Sequence, residues 1–207
     1  MNQNLRIKSL ALTALAAFLV VGPASAPASV HAKANGEIIG VVEMGSKRIA
    51  GAVVSITEAS GSYSAPAEPV IMDQKDKEFQ PHVLAIMKGT KVRFNNSDPY
   101  LHNVFSNSRV KMFNVSQSKK GDTSELTFDK VGLIPIKCHI HASMKAYIMV
   151  LPNPFFAVTN EKGLFQIPNV PAGTYTLKVW SEDASTTTQT VEVTAGGRAK
   201  AIFKVSQ

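Results

Sequence analysis

The chain has 207 residues, of which 44% are hydrophobic and 18% charged, enough to bury a core and too apolar for an intrinsically disordered protein. Its 22 Lys and Arg against 15 Asp and Glu give a net charge of +7. The basic residues are scattered, with no basic helix and no aromatic interleaving. That pattern argues against a nucleic-acid interface and for a solvated surface able to steer an acidic protein partner.

Residues 1–32 read as a secretory signal peptide. Arg6 and Lys8 form a positive n-region, and Leu10 to Val21 make an apolar run too short to span a bilayer. Pro27 would follow a cut after Ala26, so the small-residue pattern favours cleavage after Ala32. Losing this segment removes two bases and no acid, taking the net charge from +7 to +5. No other segment is long and apolar enough to cross a membrane. The expected location is the periplasm.

Beyond the leader, strand patterns dominate. GEIIGVVEMGSKRIAGAVVSITEA (36–59) opens the chain with two strand-like runs around a turn. His82, in EFQPHVLAI, opens an early strand. KVRFNN (91–96) places Val92 and Phe94 on one face, and SELTFD (124–129) does the same with Leu126 and Phe128. LIPIKC and AYIMVL follow, then TYTLKVW (174–180), TQTVEVT (188–194) and KAIFKV (200–205). Lys88-Gly89, Ser97-Asp98-Pro99, Lys120-Gly121-Asp122 and Gly196-Gly197 punctuate them. No segment sustains a 3.6-residue period, so the fold class is all-β, built as antiparallel sandwiches.

Cys138 is the only cysteine of an exported chain. With no partner for a disulfide, it is buried, paired between chains, or held by a metal. Cys138, His141 and Met144 are spaced C-x-x-H-x-x-M on the loop between LIPIKC and AYIMVL. A thiolate, an imidazole and a thioether form a soft set that suits copper better than zinc or calcium. His102, in NNSDPYLHNVFS, supplies the second imidazole after a strand and a turn. Two histidines, one cysteine and a weak axial methionine make a trigonal electron-transfer copper site.

DPYLHNVFS followed by FDKVGLIPIKCHIHASM resembles the cupredoxins of the plastocyanin and amicyanin type, and the short ligand loop is most similar to amicyanin. More narrowly, residues 67–181 are similar to secreted bacterial proteins labelled methylamine-utilisation or plastocyanin-like. The resemblance implies a Greek-key β-sandwich and a type 1 blue copper centre, with His102, Cys138 and His141 equatorial and Met144 axial. It also implies that Asn103 ties the two ligand segments together. Ala142 and Ser143 stand where many relatives carry proline and tryptophan, which weakens the expected shielding of the loop.

The remaining candidates read as structure. His139 lies between two candidate ligands, but neighbouring side chains at a strand end point to opposite faces, so it reads as a polar loop residue, with replacement of His141 as the alternative. His82 reads as a satisfied structural histidine, and Met72, Met87, Met112 and Met149 as packing. No nucleophile elbow is present, and one metal with four protein ligands leaves no open position for a substrate. An electron carrier is expected, not an enzyme.

The C-terminal stretch AVTNEKGLFQIPNVPAGTYTLKVW resembles the later strands of a carboxypeptidase-regulatory-like, transthyretin-like sandwich. Residues 36–59 look like its missing first strands. The expected domains are a cupredoxin at 66–152 inserted into a second small sandwich of 35–60 and 153–207. The alternative adds residues 36–59 to the cupredoxin sheets. The partners implied are redox proteins such as a c-type cytochrome or a periplasmic dehydrogenase, docking where Pro99, Leu101, Ile140, Ala142 and Met144 surround His141. Copper storage or delivery, and a metal-free adhesive module, are the competing readings.

Overall fold

The computed structural model describes residues 34–207, and the signal-peptide reading of residues 1–32 lies outside the described residues. The chain begins with β1 (Gly36–Met44), β2 (Lys47–Arg48) and β3 (Val53–Ile56). The central part follows as β4 (Val70–Lys75), β5 (Glu78–Gln80), β6 (Val83–Met87), β7 (Thr90–Asn96), β8 (His102–Asn107), β9 (Met112–Ser118), β10 (Thr123–Phe128), β11 (Gly132–Lys137) and β12 (Lys145–Leu151). It closes with β13 (Phe156–Val158), β14 (Leu164–Val170), β15 (Gly173–Ser181), β16 (Ala184–Val193) and β17 (Arg198–Lys204). The described residues are all-β.

The central strands make two sheets, ordered β10-β7-β4-β5 and β6-β12-β11-β8-β9. Strict alternation builds them: along β7, Thr90, Val92, Phe94 and Asn96 point inward while Lys91 is exposed. Met72, Phe94, Phe128, Ile134, Ile136 and Ile148 fill the space between the sheets. The strands from the two chain ends make two more sheets, ordered β14-β1-β17 with β2 attached, and β13-β3-β15-β16. Their core holds Ile38, Val54, Ile56, Ile167, Leu177, Val179 and Phe203. A cupredoxin-like sandwich thus stands beside an additional β-domain, whose first three strands lie at one end of the chain and last five at the other.

Two expectations need correction. The sheets are mixed, not purely antiparallel: β1 runs parallel to β17, β4 to β7 and β6 to β12. Each of these pairs is separated by intervening chain, which leaves strand direction unconstrained by a hairpin. Met112 is 74% exposed instead of packed. In the run Met112-Phe113 a pleated strand can turn only one of two consecutive apolar side chains inward, and Phe113 takes that place.

Two features place the site. The β11–β12 hairpin pairs through Lys137↔Lys145 and then opens into residues 138–144. β8 meets β11 at Phe105↔Lys137, which brings His102, the first residue of β8, to the same end of the sandwich.

Candidate metal centre

The turn between β7 and β8 is organised by Asn96, a residue 2% exposed. Its side-chain amide donates to the carbonyls of Tyr100 (2.9 Å) and Ser118 (2.7 Å), and its Oδ1 accepts from the Asp98 N–H at 2.9 Å. This local turn, built by an asparagine on its own following backbone, points the Asp98 carboxylate inward. Asp98 Oδ2 lies 2.7 Å from His102 Nε2, and the two side chains are 6% and 0% exposed.

A second segment holds the carboxylate from the other side. Asp76 and Lys77, at the tip of the β4–β5 hairpin, have φ of 57° and 58°. That left-handed pair suits a two-residue hairpin turn, and it aims both N–H groups at Asp98. Asp76 donates to Oδ1 and Lys77 to Oδ2, each at 2.8 Å. Burial pushes the Asp98 carboxyl up, but the Lys77 N–H, His102 and the Asp76 N–H together hold it below its usual range. With Nε2 of His102 committed to a carboxylate, Nδ1 is the nitrogen left to bind. It lies 3.0 Å from His141 Nδ1.

The loop from Cys138 to Met144 is closed on itself. The Cys138 N–H donates to the Met144 carbonyl at 3.3 Å, and the Met144 N–H to the His141 carbonyl at 3.0 Å. Cys138 is 4% and Met144 1% exposed, both within the core of the sandwich. Met144 is therefore not part of the surface around His141, which corrects the expectation that placed it there. His141 itself is half-buried. Burial first, then the charges of His102 and Lys77, push its imidazole below the ordinary histidine value, against the opposing pull of Asp98. A neutral ring is the form that ligates a metal.

The ligand atoms of His102, Cys138 and His141 lie within 4.8 Å of one another. Asn103 joins the segments that carry them. Its Oδ1 accepts from the His139 N–H at 2.7 Å, and its amide donates to Asn114 Oδ1 at 3.1 Å. His139 stands outside the group: its exposed ring stacks on Phe105 with centroids 3.6 Å apart and planes at 4°. His82 lies elsewhere, with Nε2 2.7 Å from Glu182 Oε2. Sequence reasoning did not single out Asp98 or Tyr100. Tyr100 is 50% exposed and meets the His141 ring edge-on at 6.3 Å.

These residues fit a copper ion. Two nitrogens bound about 2.0 Å from one ion at a near-tetrahedral angle stand about 3.3 Å apart, close to the Nδ1 separation here. A buried thiol completes a soft donor set, and a buried methionine closes the same loop. The arrangement resembles a type 1 copper site.

No curated protein matches the sequence. The family described as polysaccharide lyase family 4, domain II, matches residues 153–201, within the additional domain. Among solved structures, a Cu-containing nitrite reductase (NirK) from Thermus scotoductus SA-01 is 27% identical over 47% of this chain, with a TM-score of 0.41. The match spans a quarter (25%) of that reductase's own chain. An oxidised mutant of amicyanin is 22% identical over 40% of this chain and 81% of its own, with a TM-score of 0.38. A novel purple cupredoxin from Nitrosopumilus maritimus is 22% identical over 39% of this chain and 98% of its own, with a TM-score of 0.36. With mixed four- and five-stranded sheets packed face to face and the histidine, cysteine and histidine donors gathered at one end, residues 70–151 form a cupredoxin-like sandwich, extended by an additional β-domain.

Proposed function

We propose that this protein is a periplasmic type 1 copper protein that carries single electrons between redox partner proteins. The observation that carries the reading is the gathering of His102, Cys138 and His141 donor atoms within 4.8 Å, two of the three residues buried. Copper held there by His102, Cys138 and His141 would supply a reversible one-electron change at the metal. The chain's own contribution is positional. Asp98 fixes the ring and tautomer of His102, the closed 138–144 loop holds Cys138 and Met144 in apolar core, and Asn103 keeps the two ligand segments in register.

Electron exchange needs a short route to the surface, and His141 offers it. Tyr100, 50% exposed, meets its half-buried ring edge-on, and on the same two segments Leu101 is 50% and Ile140 41% exposed. Pro99 and Ala142 are exposed on the same two loops. A small apolar contact of this kind lets a partner approach without water between, while scattered lysines steer an acidic partner such as a c-type cytochrome or a periplasmic dehydrogenase. Four protein ligands leave no position for a substrate, so the reading is of a carrier and not an enzyme. The apolar run of residues 10–21 supports export; among the described residues no helix is long and apolar enough to cross a membrane.

The test is reversible electron exchange. Copper-loaded protein reduced by ascorbate and mixed with an oxidised c-type cytochrome should return to its coloured form as the cytochrome is reduced. Colourless copper(I) binding with no electron exchange would favour copper delivery instead.

A further inference from the structure

The additional β-domain touches the metal-binding sandwich beside the ligand loop, and one carboxylate does most of the polar work there. Glu182 sits in the turn between β15 and β16, just past a register shift between Val179 and Ser181. Irregular pairing of this kind re-aims side chains at a strand end. Glu182 Oε1 accepts from Lys145 Nζ at 2.6 Å and from the Tyr147 hydroxyl at 2.9 Å, and Oε2 lies 2.7 Å from His82 Nε2. All three partners belong to the other sandwich. Among the described residues the Lys145 and His82 contacts are the two ion pairs that cross between the two domains; the rest stay within one.

The partners are placed where the ligand loop begins and ends. Lys145 is bonded directly to Met144 and pairs across the hairpin with Lys137, the residue before Cys138. Two like charges directly opposite each other on neighbouring strands repel, and here they do so at the mouth of the loop. Glu182 supplies the opposite charge. Apolar contacts brace it: the Trp180 ring meets Tyr147 edge-on at 5.3 Å, and Val53, Val83 and Leu151 pack beneath. The Tyr147 N–H also donates to the His82 carbonyl at 2.9 Å, locking β12 to the segment that leads into β6.

We propose that Glu182 is a positioning residue for the metal centre, by which the additional domain clamps the start of β12 and so fixes Met144 and the closure of the Cys138–Met144 loop. The inference rests on the copper reading for its effect on the metal, but the clamp itself is a property of the metal-free chain. The Lys145 ammonium holds the Glu182 carboxyl at about 2 against burial, with His82 and Tyr147 adding to it, so the clamp is charged at neutral pH.

Two readouts on the full chain test this. In metal-free protein, Cys138 is 4% exposed, and a thiol reagent reaches it only when the loop opens. Glu182→Gln, which keeps the side-chain volume, should raise the modification rate about tenfold through easier local opening. Glu182→Asp should bring the rate back toward that of the unchanged protein. Tyr147→Phe, which leaves the ring against Trp180, should raise the rate by less. In copper-loaded protein, Glu182→Gln should raise the reduction potential and shift the thiolate-to-copper band. A lower Tm with thiol rate, band and potential all unchanged would overturn the proposal, leaving the carboxylate as domain glue only. If the unchanged protein develops no coloured band, the copper reading fails, and the thiol rates still decide whether Glu182 controls the loop.

Discussion

The buried His102 ring is held at Nε2 by the Asp98 carboxylate, 2.7 Å away, and turns Nδ1 toward His141. Carboxylate–imidazole pairs behind a metal raise the basicity of the ligand and fix its tautomer, and their loss costs about 10–100-fold in metal affinity. Asp98→Asn should weaken copper binding by about that factor and raise the reduction potential, because a negative charge near the higher oxidation state is lost. Competition with a chelator of known affinity measures the first effect. Wild-type affinity in this variant would mean that Asp98 does not orient the ligand.

Cys138 and Met144 should respond differently to substitution. Cys138→Ser replaces a thiolate with a poorly acidic hydroxyl, so the coloured band should vanish even while His102 and His141 retain some copper. Met144→Leu should keep colour and copper and raise the potential, since an axial thioether is a long, weak ligand. Absorption spectra and potentiometry on the two variants separate these outcomes. Colour surviving in Cys138→Ser would defeat the type 1 assignment.

Glu182 gives a prediction in pH. Its carboxyl is held at about 2, against an ordinary value of 4.5. A carboxyl depressed in the folded state contributes stability that is fully present above its unfolded value and is lost as pH falls toward its folded one. The unchanged protein should therefore lose stability more steeply than Glu182→Gln between about pH 4.5 and 2. Thermal melts across that window check it; parallel curves for the two proteins would show that the clamp carries no charge-dependent stability.

The exposed side of His141 gives the fourth prediction. Ala142 is exposed on the ligand loop, so Ala142→Glu should leave the copper spectrum intact. It should slow electron transfer to a partner, by putting a charge into a contact that must shed water. Rates with an acidic partner should also fall as salt rises. Stopped-flow traces at two ionic strengths measure both effects. Unchanged rates and no salt dependence would move the port elsewhere.

Much of the candidate metal site was legible because its candidate ligands are local or follow a turn. Cys138, His141 and Met144 lie within one loop whose flanks alternate as strands, and spacing alone brings them together. The part that was not legible depends on chain far away. Asp98 sits in a Ser-Asp-Pro turn and reads as an ordinary turn residue. Its inward direction is set by Asn96 and by the amides of Asp76 and Lys77, some twenty residues earlier. Glu182 escaped the sequence reading for the same reason, since its partners lie at residues 82, 145 and 147. Strand direction was hidden as well: parallel pairs such as β6 with β12 join segments that no turn connects. Met112 misled because adjacent apolar residues on a strand do not reveal which one faces inward.

The most direct measurement of the central claim is a copper(II) titration of the purified protein followed by absorption. The account predicts an intense visible thiolate-to-copper band that saturates at one ion per chain, bleaches on reduction and returns on reoxidation. Copper binding without such a band, or no binding at all, would contradict it.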